Sequence, residues 1–356
     1  MILKRIENLR KRLSLNEAIL IFSETNRFYF TGFKSSAGAV IVTQNNAYLA
    51  VDFRYFESAK NKVNGLNVVL FQRLYEKISE ILNKENISKV YVETDYLTLD
   101  KYSALKKNLA DFQILKENKI CQYIEELRSI KTEEEKMQIV KAQEITDKAF
   151  AHILNFIEAS KTEAQIALEL EFFMRKNKSE GVAFDTIAVS GKNSSLPHGV
   201  PTDKKIEKGD FITLDFGAVV NGYRSDMTRT VAVGEITDKQ RLVYETVLKA
   251  QTAALEAIKP NIQCDSIDKI ARDIINDAGF EGCFGHGLGH SVGLEVHENP
   301  SFNTVDKTLL KKGMVLTVEP GIYIENEFGV RIEDMVYITE QGVENLTKSP
   351  KELIIL

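Results

Sequence analysis

The sequence predicts an α/β (α+β) protein in two parts. A smaller α/β domain covers residues 1–115, a linker covers 116–131, and a larger, internally duplicated domain covers 132–356. Two observations carry this. From Met1 to about Leu115, short apolar or β-branched runs (EAILIF, GAVIVT, AYLAVD, LNVVLF, KVYVE) alternate with segments of helical spacing such as RLYEKISEILNKE. From Thr132 onward, pairs of helix patterns alternate with two β-hairpin patterns, and each hairpin carries a pair of carboxylates.

Taken in order, MILKRIENLRKRL interleaves charged and apolar residues at helical spacing and lacks the apolar core of a signal peptide. The leading strands are almost wholly apolar, as expected for a sheet covered on both faces. The charged stretch Lys116–Lys131 reads as the linker. Thr132 to Glu135 is a T-x-x-E capping box that opens a long helix to about Ile157. Thr162 with Gln165 opens a second, closing in RKNK, where cations suit the helix dipole. Thr237 with Gln240 opens a third, running through Ile258 and stopped by Pro260. A fourth spans about Ser266 to Asp277, ahead of Gly279. Helix pair, hairpin, helix pair, hairpin is the pattern of two similar halves around one sheet.

The hairpins hold the chemistry. In FITLDFGAVVNGYRSDMTRTVAV, Asp215 and Asp226 are equidistant from a turn near Val220 and Asn221, with Gly222 beside it. In MVLTVEPGIYIENEFGVRIEDMVYIT, Glu319 and Glu333 are equidistant from Asn326. Residues equidistant from an antiparallel turn face each other, so each hairpin is expected to present two acids side by side. Facing like charges destabilise a sheet unless a cation lies between them. Between the hairpins runs GHGLGHSVGLEVHE, with His286, His290 and His297. The chain has five histidines, and four of them fall between residues 198 and 297. Four acids with imidazole make a ligand set large enough to bridge two metal ions.

Composition excludes other classes. A 356-residue chain that is 44% hydrophobic and 27% charged is globular, and a net charge of −5 leaves no basic footprint for nucleic acid or anionic membrane. No apolar run approaches the ~20 residues of a membrane-spanning helix. Cys121, Cys264 and Cys283 are odd in number and widely spaced, which suits buried, reduced thiols in a cytoplasmic enzyme. His286 and His290 have HExxH spacing, but Gly287 and Gly289 lie between them and the Glu is missing. The same glycines do not fit GxGxxG, and no Ser or Cys sits in a GxSxG elbow.

Asp215, Asp226, His290, Glu319 and Glu333, in that order and in those settings, resemble the five metal ligands of the creatinase/aminopeptidase family. FDTIAVSGKNSSLPHG, LDFGAVVNGYRSDMTRT, GHGLGHSVGLEVHE, TVEPGIY and GVRIED carry the resemblance, strongly from about Ile130 onward. NRFYFTGF and AVDFRYFESAK extend it more weakly over the leading part. The resemblance implies a pitta-bread catalytic domain behind a creatinase-type leading domain that restricts access and forms a homodimer interface. It implies a dinuclear site in which Asp226 and Glu333 bridge, Asp215 completes one ion, and His290 with Glu319 completes the other. This oxygen-rich set suits two divalent ions, Mn²⁺ or Co²⁺ first, with Zn²⁺ or Fe²⁺ as alternatives. Glu319 and Glu333 would also move the proton of an attacking water. His198 and His297 match histidines that contact the scissile peptide, and His286 a nearby substrate-side histidine. Arg331 matches an arginine that supports the site. Thr228 and Thr317 are either donors to the ligands or ordinary strand threonines, and His152 reads as an ordinary helix histidine. The implied activity is hydrolysis of the Xaa-Pro bond in proline-containing dipeptides or short peptides, as an Xaa-Pro dipeptidase. The alternatives are an aminopeptidase P acting on longer peptides, a non-metal hydrolase and an inactive binding module. For a dipeptidase, the loop Thr31–Gly38, read as following a strand, is the candidate wall that excludes longer peptides, and Arg331 or a histidine would meet the proline carboxylate.

Overall fold

The computed structural model describes residues 2–356, in two units that divide between Leu127 and Arg128. The first contains α1 (Ile2–Arg10), β1 (Glu17–Ile21), α2 (Glu24–Thr31), β2 (Ala39–Thr43), β3 (Ala47–Val51) and α3 (Phe53–Lys62). It continues through β4 (Asn67–Leu70), α4 (Leu74–Lys84), β5 (Lys89–Val92), α5 (Leu99–Asn108) and β6 (Gln113–Leu115) into α6 (Lys119–Ser129). Its strands form one mixed sheet in the order β4-β3-β2-β1-β5-β6. All five apolar runs singled out above are strands; β6, only three residues long, has too short a pattern to read.

Two expectations change here. NRFYF belongs to a helix, α2, so the Thr31–Gly38 loop follows a helix and not a strand. Ser23 caps its start, accepting from Asn26 N, and Gly32 ends it at φ 66°, donating to Phe28 O at 2.7 Å. Caps at both ends override the strand preference of the aromatic run. The stretch read as a linker is largely α6, with Ile120, Cys121 and Ile124 buried one turn apart. Dense charge on its other face hides that short apolar stripe.

The second unit shows the duplication directly. Its first half runs α7 (Glu133–Ile153), α8 (Glu163–Lys176), β7 (Ile187–Ser190), β8 (Phe211–Phe216), β9 (Val219–Val220), β10 (Tyr223–Arg224) and β11 (Met227–Ala232). The other half runs α9 (Asp238–Ala257), α10 (Cys264–Ile275), β12 (Gly289–Ser291), β13 (Glu298–Phe302), β14 (Val315–Val318), β15 (Gly321–Ile324), β16 (Phe328–Arg331), β17 (Asp334–Ile338) and β18 (Val343–Asn345). The three expected capping boxes open α7, α8 and α9, each with both reciprocal hydrogen bonds.

In each half the hairpin has a stem in a sheet and a tip that is a separate two-stranded ribbon. The stems lie in β11-β8-β7 and in β13-β12-β14-β17-β18, and the tips are β9–β10 and β15–β16. Each half buries its own apolar core between helices and stem, with Phe150, Leu170 and Leu214 in one and Tyr244, Ile267 and Leu316 in the other. The two hairpins meet where Glu333 N donates to Thr228 O (3.1 Å) and Arg331 N to Thr230 Oγ1 (3.2 Å). A buried ion pair, Arg229 Nη2 to Asp334 Oδ1 at 2.7 Å, fixes that meeting line from behind. His152 packs on Phe173 and bonds Glu169 (2.6 Å), an ordinary contact between α7 and α8. Among the described residues no helix is long and apolar enough to cross a membrane.

Candidate metal centre and active site

The second hairpin keeps the expected register. Val318 pairs with Asp334 in the stem and Gly321 with Arg331 in the tip, so Glu319 and Glu333 stand opposite each other in the break between them. The first hairpin is shifted. Asp215 pairs with Thr228, and Val220 with Tyr223, so Asp226 lies diagonal to Asp215 and not opposite it. Asn221 and Gly222, at φ 48° and 80°, occupy both central positions of a two-residue turn of the primed type. That moves the turn centre past Asn221. Alternation still leaves both acids on one face, as diagonal neighbours.

β12 sets His290 against these acids. Its Nε2 lies 3.3 Å from Glu319 Oε1 and 3.6 Å from Asp226 Oδ2. Its Nδ1 faces the Ser291 carbonyl at 3.2 Å. A carbonyl only accepts, so Nδ1 carries a proton; Nε2 donates to Glu319 while the ring is charged, and on losing that proton it turns its lone pair to the acids' side. Gly289 lets β12 come this close, because a Cβ there would stand 2.1 Å from Thr317 O. The two threonines do touch the acids. Thr228 Oγ1 donates to Glu333 Oε2 (2.7 Å), and Thr317 Oγ1 to Glu319 Oε1 (3.1 Å) while accepting from His290 N (3.0 Å).

The charge is not balanced. Asp215 has Arg331, whose Nη2 donates to Oδ2 at 2.7 Å, and Glu319 has His290. Burial works against ionisation of Glu319, but the His290 hydrogen bond and charge outweigh it and pull the carboxyl down to about 2. Burial, opposed by Arg331, still raises Asp215. Asp226 and Glu333 are pushed well above the carboxylate range, first by burial and then by the charges of the other acids. Asp215 Oδ1 and Glu333 Oε1 are buried without a hydrogen-bond partner. Ligand atoms of Asp226, His290 and Glu333 lie within 4.8 Å of one another. Buried, unsatisfied, mutually repelling oxygens beside an imidazole nitrogen that can give up its proton fit divalent cations.

All nine candidate residues (these five with His198, His286, His297 and Arg331) line one cavity of about 940 Å³. His198 and His297 are exposed to it, and the His297 ring lies 4.2 Å from that of His290. Arg331 is buried, and each of its nitrogens already donates to protein: Nε to Thr228 Oγ1, Nη1 to Pro197 O and the Tyr323 hydroxyl, Nη2 to Asp215. Every nitrogen of the guanidinium is thus engaged, Nη2 with Asp215. Tyr323 was missed by the sequence reading. Its hydroxyl accepts from Arg331 (2.8 Å) and lies 2.9 Å from His286 Nε2. His286 Nδ1 faces Gly287 O, so Nε2 is the acceptor and the phenol donates to it. Burial lowers the pKa of His286, which keeps that ring neutral. Tyr323 pairs with Gly329 and so shares a face with Arg331, a signal the register carried.

Comparison with known proteins identifies the family. Residues 137–340 match Metallopeptidase family M24, and residues 5–130 the Creatinase/Prolidase N-terminal domain. The chain is 43% identical to the Xaa-Pro dipeptidase of Pyrococcus furiosus, over 99% of both chains. A solved Xaa-Pro dipeptidase from Bacillus anthracis superposes with a TM-score of 0.96 at 42% identity, covering 100% of each chain. The X-Pro aminopeptidase of Thermotoga maritima does so at 0.91 and 35%, covering 98% of this chain and 100% of that one. Fold and cavity together are those of a peptidase of the pitta-bread class. The chain belongs to metallopeptidase family M24.

Proposed function

We propose that this chain is an Xaa-Pro dipeptidase whose cavity holds two divalent cations, Mn²⁺ or Co²⁺ before Zn²⁺ or Fe²⁺. The observation that carries the metal reading is the pair Asp226 and Glu333, buried among other acids, with one imidazole, His290, shared between Asp226 and Glu319 and too little positive charge for all four acids. Asp226 and Glu333 would be shared between the ions, Asp215 would complete one, and His290 with Glu319 the other. The chemistry bound cations supply is Lewis acidity towards a water and a carbonyl oxygen.

The chain's own groups do the rest. Thr228 and Thr317 orient Glu333 and Glu319, and these carboxylates take the proton of the attacking water. Arg331 fixes Asp215. His198 and His297, exposed in the cavity wall, donate to the scissile carbonyl as its oxygen gains charge. Proline-containing dipeptides are the substrate class, supported by the full-length likeness to Xaa-Pro dipeptidases. The binding of the proline carboxylate falls to the cavity histidines, since Arg331 is engaged. A homodimer, a leading unit that restricts access, a division of the chain near residues 115–131 and a cytoplasmic setting with free thiols complete the proposal.

A second reading, an aminopeptidase P, is favoured by the likeness to the Thermotoga maritima X-Pro aminopeptidase. A panel comparing kcat/KM for Xaa-Pro with Xaa-Pro-Yaa and longer peptides tests the choice. Preference for the dipeptides is expected. Equal or better cleavage of the longer peptides would make the chain an aminopeptidase P.

A further inference from the structure

Both exposed histidines sit on loops, and each loop closes over a buried carboxylate that takes no part in the chemistry above. His198 lies in the connection between β7 and β8. At its root is Glu163, the first residue of α8, with no exposed surface. Glu163 Oε1 accepts from Ser190 N (2.7 Å) and Ser190 Oγ (2.9 Å), and Oε2 accepts from Thr202 N (3.0 Å) and Thr202 Oγ1 (2.7 Å). Asn193 Nδ2 reaches both oxygens, at 3.1 and 3.2 Å. The donors lie on both sides of His198 in sequence, so one carboxylate ties the loop's two ends together. The α8 N-terminus stabilises the charge that this requires.

His297 lies between β12 and β13. Next to it Glu298 turns under the loop, where Oε1 accepts from Leu294 N (3.0 Å), Glu295 N (3.2 Å) and Arg128 Nη2 (2.5 Å). Oε2 accepts from Lys131 Nζ (2.9 Å). Gly293 allows the backbone to cross so near: a Cβ there would stand 2.6 Å from Glu298 Oε2. The two halves of the domain therefore use one device twice, with different partners.

Resting on the proposed peptidase reading, we infer that Glu163 and Glu298 are positioning residues, Glu163 fixing His198 and Glu298 fixing His297 towards the substrate. A purely structural role would lower stability and affect both histidines alike. A positioning role is selective. Glu163→Gln replaces one acceptor oxygen by a donor, so Ser190 N or Thr202 N loses its partner and the loop end is released. A misplacement of ~1 Å costs on the order of 10² in rate.

The test is a pair of double-mutant cycles on the metal-loaded enzyme, read together with the ring signals of the five histidines in its Zn²⁺-loaded, diamagnetic form. Glu163→Gln should lower kcat about tenfold or more in the wild type and in His297→Ala, yet add nothing to His198→Ala, with metal content unchanged. Glu298→Gln should show the converse. Glu163→Gln should move the His198 ring signal and leave that of His297 in place. Should the glutamines fold poorly, Thr202→Val and Lys131→Met probe the same two anchors. Equal losses in both histidine backgrounds, or ring signals that move together or not at all, would overturn the inference. If His198→Ala itself leaves kcat unchanged, the peptidase role of His198 fails, and the ring signals still decide whether Glu163 positions it.

Discussion

The two acid hairpins are built alike but balance their charges unequally. In the first, an Asn-Gly turn makes Asp226 diagonal to Asp215, and Asp215 is held by Arg331 reaching across from the second. In the second, Glu319 and Glu333 face each other, and Glu319 has His290. One acid of each hairpin thus has a cation from the protein. Of the other two, Asp226 has only a longer contact to the same His290, at 3.6 Å, and Glu333 has no ion pair among the described residues, although its backbone lies where the halves meet. The missing positive charge would belong beside these two. Duplication makes two similar hairpins, and the asymmetry between their acids is where the proposed ions would go.

The largest effect should fall on the undercompensated pair. Asp226→Asn and Glu333→Gln are expected to lower metal stoichiometry together with activity, by more than the about 10–100-fold that outer-shell partners cost. Asp215→Asn should lose one ion and keep the other. Elemental analysis of the four variants at Asp215, Asp226, Glu319 and Glu333 tells these apart, and equal losses at all four would erase the distinction. His198→Ala and His297→Ala should lower kcat by about 10²–10³ with metal content intact. A metal-free variant with unchanged rate when metal is restored would place that histidine among the ligands.

Next come the threonines. Thr228→Val removes the donor to Glu333 Oε2 and the acceptor for Arg331 Nε; Thr317→Val removes the donor to Glu319 and the acceptor for His290 N. Each should weaken metal affinity about 10–100-fold, measurable by calorimetric titration. Wild-type affinity in both would return them to ordinary strand residues.

The smallest effect concerns acid stability. Burial opposes ionisation of Glu298, but Lys131 and Arg128 dominate and hold its carboxyl at about 2 against an ordinary 4.5. A depressed folded-state value stabilises the protein above the unfolded value, and the gain is lost as pH falls from about 4.5 towards 2. Glu298→Gln should therefore lower Tm near neutral pH and flatten its fall below about 4.5. An unchanged acid limb would show that the two cations do not hold this carboxylate.

Most of the fold was legible because its signals are local. Capping boxes at Thr132, Thr162 and Thr237, period-two acids around turns and a cluster of histidines each need only a short window. What escaped needed longer reach or finer turn chemistry. The helix α2 is decided by Ser23 and Gly32 at its ends against an aromatic run that favours strand. The Asp215–Asp226 offset depends on which two residues occupy the turn. Tyr323, Glu163 and Glu298 are legible only once pairing places them beside Arg331, Ser190 and Lys131, since an isolated Tyr or Glu carries no pattern of its own.

The most direct test of the undercompensated pair is a titration of metal-stripped protein with Mn²⁺, following heat and Tm together. The account predicts two ions bound per chain in the wild type, a rise in Tm with each and activity restored by the metal. It predicts that Asp226→Asn shows neither rise. A stripped protein that binds no Mn²⁺ or Co²⁺, keeps its Tm and hydrolyses Xaa-Pro in the presence of chelator would contradict it.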